Sequence, residues 1–140
     1  MKVEELMIGD WVWVNDCEHL RPMQVAAIKR KSGKFYAECV DPNDATEHCE
    51  CIVDKLVGIK IDKRFLEANG FEWDDDFRLW RKVLMEGYYI IWEDDDAQIA
   101  HLRVVTPYRR ASMHFAETRI HHLQHALRFC GLVNTTIVPR

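Results

Sequence analysis

Three imidazoles within five residues, His121, His122 and His125, form the densest set of chemically capable side chains in the chain. If their segment is helical, His121 and His125 stand one turn apart, the spacing by which two histidines grip one metal ion. No third ligand is evident nearby. Zinc peptidases use His-Glu-x-x-His, in which the glutamate activates the metal-bound water; here His122 takes the glutamate's place, so hydrolysis has no base. The same residues, joined by Phe129, read alternatively as a solvent-facing surface that contacts a protein partner. No metal site is assigned, and His121 and His125 stand as candidates.

Thiols and imidazoles also gather near the N-terminus, at Cys17, His19, Cys39, His48, Cys49 and Cys51. Structural zinc sites take ligand pairs spaced C-x(2-4)-C, and Cys49-x-Cys51 is tighter than that. On a strand these two thiols share a face and read as small buried hydrophobes, with a zinc site in this cluster as the alternative. The acidic runs Asp74-Asp75-Asp76 and Asp94-Asp95-Asp96 lack the alternating ligands and glycine of a calcium loop. Turns are the better account, because aspartate bonds its own backbone there.

Charge is uneven. Residues 61–100 carry five basic side chains against eleven acidic, whereas residues 101–140 carry six arginines against Glu117 alone. Arg103, Arg109, Arg110 and Arg119, with exposed aromatics such as Trp11, Trp13 or Tyr88 as stacking platforms, would suit a nucleic acid. Alternatively the acidic and basic segments neutralise one another in the fold. The net charge of -4 argues against a protein that coats nucleic acid non-specifically. There is no Gly-x-Gly-x-x-Gly, phosphate loop or Gly-x-Ser-x-Gly elbow, so neither a cofactor nor an enzymatic activity is expected.

The elements that must position these groups follow from periodicity. Thr118 to Gly131 reads as an amphipathic helix, with Ile120, Leu123, Ala126, Leu127 and Cys130 on one face and a glycine stop. Before it, Phe77 to Leu84, Gly87 to Glu93 and Ile99 to Thr106 read as an antiparallel meander, with a further strand over Ala111 to Glu117 and a last one over Thr135 to Val138. Asp62 caps a short helix ending at Gly70. In residues 1–61, strands are expected at Ile8 to Val14, Met23 to Ile28, Phe35 to Val40 and Glu50 to Ile59, with a hairpin turn at Lys31-Ser32-Gly33-Lys34. The class is α+β, mainly β: an SH3-like barrel over 1–61, then a linking helix, an antiparallel sheet and a C-terminal helix over 62–140.

Three segments carry a resemblance: Leu6-x-Ile8-Gly9-Asp10-x-Val12, Phe65-Leu66-x-x-Asn69-Gly70-Phe71 and His121-x-Leu123-Gln124-x-Ala126-Leu127-Arg128-x-Cys130-Gly131. Together they resemble a group of short uncharacterised proteins from gut anaerobic bacteria and their phages, which have no agreed activity. The resemblance implies an accessory or mobile-element setting and a two-part β-rich fold. No apolar run reaches the roughly 18 residues of a membrane span and the N-terminus lacks a signal-peptide layout, so a cytoplasmic location is expected. The expected function is a non-catalytic protein-interaction module, self-association included, with nucleic-acid binding and metal binding as the alternatives.

Overall fold

The computed structural model describes residues 1–16, 19–94 and 99–139. Cys17, Asp95 and Asp96 lie outside the described residues, as does the side chain of His19. The chain forms two compact units, Met1–Ile59 and Lys60–Arg140, each built on a five-stranded antiparallel sheet. The class is therefore α+β, mainly β. The division falls two residues before the boundary expected from the sequence. Among the described residues no helix is long and apolar enough to cross a membrane.

In the first unit a turn at Gly9-Asp10 launches β1 (Trp11–Asp16). The Asp10 carboxylate accepts from the Met7 amide at 2.7 Å, which fixes the entry to the strand. β2 (His19–Lys31) and β3 (Lys34–Asp41) are joined by Ser32 and Gly33 at φ 50° and 78°. Both residues are left-handed, as a two-residue hairpin matching the natural strand twist requires. β4 (Asp44–Ile52) follows, then a 3-10 turn at Val53–Lys55 and the short β5 (Val57–Gly58), giving the order β4-β3-β2-β1-β5. The fourth strand thus begins six residues earlier than expected and stops at Ile52. Its polar run hides it in the sequence, because an edge strand need bury only alternate residues. Val12, Val14, Met23, Val25, Ala37 and Cys39 point inward and form the core with Leu6, Val53 and Leu56. Trp11 and Trp13 take the opposite face of β1 from the two valines.

In the second unit, α1 (Lys63–Ala68) starts at Asp62, whose carboxylate accepts from the Phe65 amide at 2.8 Å. This N-cap satisfies a donor the helix leaves open. β6 (Glu72–Asp74), β7 (Leu79–Met85), β8 (Tyr88–Asp94), β9 (Ala100–Val105) and β10 (Arg110–Phe115) then form a continuous meander in the order β10-β9-β8-β7-β6. β6, three residues long, was not expected. The link between β6 and β7 is an aspartate turn, as read from the sequence: Asp74 Oδ1 accepts from the Asp76 and Phe77 amides at 3.1 and 3.0 Å. α2 (Ile120–Phe129) packs on β9 and β10.

The expected strand over Thr135–Val138 does not form. That segment is tied down by one side chain in place of a ladder. Asn69 Nδ2 donates to the Val138 carbonyl at 2.8 Å, and Asn69 Oδ1 accepts from the Val138 amide at 2.8 Å. A buried carboxamide thus does for a single residue what a neighbouring strand would do for several.

Candidate functional site

The apolar stripe on α2 performs the covering task its spacing predicts: Ile120, Leu123, Ala126, Leu127 and Cys130 are all buried. Three of these are large aliphatics, each worth about 1.5–3 kcal/mol when removed from water, so α2 is firmly seated. Gly131, at φ 77°, ends it, and the Leu132 amide returns to the Leu127 carbonyl at 2.8 Å. That six-to-one closure with a left-handed residue is a Schellman stop, and it leaves Phe129 at the exposed edge of the last turn.

The histidines do not form one wet face, and this corrects the sequence expectation. His121 is only 1% exposed. It neighbours Ile120 on the wheel, and an imidazole, part apolar and part polar, is drawn into the buried arc. His122 is half-buried and structural: its Nδ1 accepts from the Arg119 amide at 3.1 Å, and its ring stacks on Phe115 with centroids 4.0 Å apart. His125 is half-buried, its ring edge-on to His121 with centroids 5.7 Å apart. Among the described residues no three histidine, cysteine or acidic side chains converge as a metal site would require, so His121 and His125 gain no third ligand.

Phe129 is 58% exposed, as the sequence expects of a contact residue. Arg109 completes it. Its guanidinium lies 5.7 Å from the Phe129 ring centroid, and Nη1 donates to the Phe129 carbonyl at 2.8 Å. The cation meets both an aromatic face and the negative end of the helix dipole. A tight turn holds Arg109: the Thr106 amide donates to the Arg109 carbonyl at 2.9 Å, and the Arg109 amide donates to Thr106 Oγ1 at 2.8 Å. The same turn carries Tyr108, 87% exposed at its tip. Sequence reasoning missed Tyr108. The available signal was an aromatic in Thr106-Pro107-Tyr108-Arg109, a turn with no core to fill.

The other arginines are dispersed. Arg103 lies 3.5 Å from Glu93, so the acidic and basic segments do meet there. Arg119 lies 3.2 Å from Glu117, with Lys60 on the same carboxylate at 3.6 Å. Arg110 is exposed on the sheet face that turns away from α2. The four cations therefore sit at separate places: two beside carboxylates, one beside an aromatic ring and one on a strand.

In the first unit, strand register sets Cys39 directly opposite Cys49, and Cys49 Sγ lies 3.7 Å from both Cys51 Sγ and Met23 Sδ. Burial pushes the Cys39 thiol up to about 12, and the neighbouring thiols add to the rise. A thiol so placed stays protonated at neutral pH, which suits core packing and opposes metal ligation, since the thiolate is the ligand. Comparison with protein-family models, curated proteins and solved structures finds no match to this chain.

Proposed function

We propose that the protein is a non-catalytic protein-interaction module, working in a bacterial accessory or mobile-element setting, whose contact surface is centred on Phe129, Arg109 and Tyr108. The observation that carries this reading is an aromatic ring left largely in water yet held under a fixed guanidinium. Such a pair is already ordered before binding, so little side-chain entropy remains to be lost on association. Tyrosine and arginine are also the residue types that dominate interface energetics. His125, half-buried one turn before Phe129, would lie at the rim of this surface. His122 is committed to its cap and to Phe115 and is no longer a contact residue in this reading.

The first unit is read as an SH3-like barrel. The order β4-β3-β2-β1-β5, the long β2 with its register shift between Val25 and Ala27, and the 3-10 turn before β5 support that reading. The arginine arrangement weighs against nucleic-acid binding, because Arg103 and Arg119 sit beside carboxylates and Arg109 beside Phe129.

Affinity capture from host cells tests the proposal. Phe129→Ala and Arg109→Ala should each lose the partner that the parent chain retains, with far-ultraviolet circular dichroism unchanged. Capture of the same partner by both variants would refute it.

A further inference from the structure

The sheet face of the second unit that turns away from α2 carries a pair of side chains that the proposed function does not use. Register places His101 on β9 opposite His114 on β10. The two imidazoles turn toward one another, with Nδ1 to Nδ1 at 2.7 Å and ring planes 89° apart. His114 is exposed and His101 half-buried. We infer that His101 and His114 form a two-histidine chelate for a divalent transition-metal ion of the zinc, nickel or copper class.

The separation fits that chemistry. Two metal–nitrogen bonds of about 2.0–2.1 Å hold their nitrogens about 2.9 Å apart at a right angle and about 3.3 Å apart at the tetrahedral angle. The observed pair needs to open by a few tenths of an ångström, a small rotation for surface side chains. In the resting state one Nδ1–H donates to the other Nδ1. Metal binding requires both rings in the Nε2–H tautomer, with both Nδ1 lone pairs on the ion. Arg103, two residues along the same face of β9, opposes the ion by like-charge repulsion.

The test is isothermal titration of the full chain, free of any histidine tag, with zinc chloride, followed by electron paramagnetic resonance of the copper(II) form. Expected are one ion per chain, hyperfine coupling to imidazole nitrogen, and a loss of affinity beyond about tenfold in both His101→Ala and His114→Ala, since even indirect supports of metal ligands cost that much. Arg103→Gln should tighten binding, while His125→Ala and the double change Cys49→Ser, Cys51→Ser should leave it unaltered. His114 is exposed, so circular dichroism of His114→Ala should match the parent. Absence of binding in the parent chain would overturn the inference and leave the pair as an imidazole–imidazole hydrogen bond. Binding that survives both histidine changes, or that vanishes with the cysteines, would overturn it equally.

Discussion

Replacing Asn69 by alanine should release the C-terminal segment and leave both sheets standing. Asn69 makes three side-chain hydrogen bonds, to the Phe65 carbonyl at 2.9 Å and to the carbonyl and amide of Val138 at 2.8 Å each. The Phe65 carbonyl still accepts from the Asn69 amide at 3.0 Å in the variant, so no acceptor is stranded there. Val138 is half-buried and can turn to water once freed. At about 1 kcal/mol net per bond, with partial recovery from solvent, the loss should be about 2–3 kcal/mol. Asn69→Asp should be worse than alanine: it keeps one acceptor for the Val138 amide but sets a carboxylate against two carbonyl oxygens it can no longer serve as donor. Urea denaturation gives the total, and amide hydrogen exchange at Val138 locates it. If the Val138 amide exchanges at the parent rate in Asn69→Ala, the segment is held by something else and the reasoning fails.

Stability should fall at alkaline pH through Cys39. Its folded-state value, raised to about 12, lies above the ordinary thiol value near 9, so the folded chain keeps a proton that the unfolded chain gives up. The contribution is therefore whole below about pH 9 and drains away as pH rises toward 12, by about 1.4 kcal/mol per pH unit. Comparing denaturant midpoints at pH 8 and pH 10.5 should show a drop of about 2 kcal/mol that Cys39→Ala largely abolishes; an equal drop in both chains would refute it. Gly131→Ala should cost about 1–2 kcal/mol, because a Cβ at φ 77° is strained although nothing lies within 4 Å to clash with it. Thermal unfolding measures this, and an unchanged midpoint would count against the Schellman stop.

How much was legible in the sequence depended on whether a signal was local. The stripe from Ile120 to Cys130, the cap at Asp62 and the turn at Ser32-Gly33 rest on contacts a few residues apart, and they appear where periodicity and turn chemistry put them. Thr135–Val138 has the β-branched composition of a strand, yet propensity cannot supply a partner edge, and a single asparagine took the hydrogen bonds. The burial of His121 was hidden because a wheel sorts residues into apolar and polar, and imidazole is both. His101 and His114 stand thirteen residues apart, and only the register of β9 with β10 brings their rings together. Tyr108 was missed because a turn is judged by its glycines and prolines, while what it presents to solvent goes unexamined.

Site-specific photo-cross-linking in host cells tests the central claim most directly. A photoreactive phenylalanine analogue is placed in turn at Phe129, at Tyr108 and at Val83, the last being exposed on β7, a strand that borders neither β9 nor β10 in the sheet. The account predicts one discrete protein adduct from positions 129 and 108 and none from position 83. Adducts of equal yield from all three positions, or from position 83 alone, would contradict it.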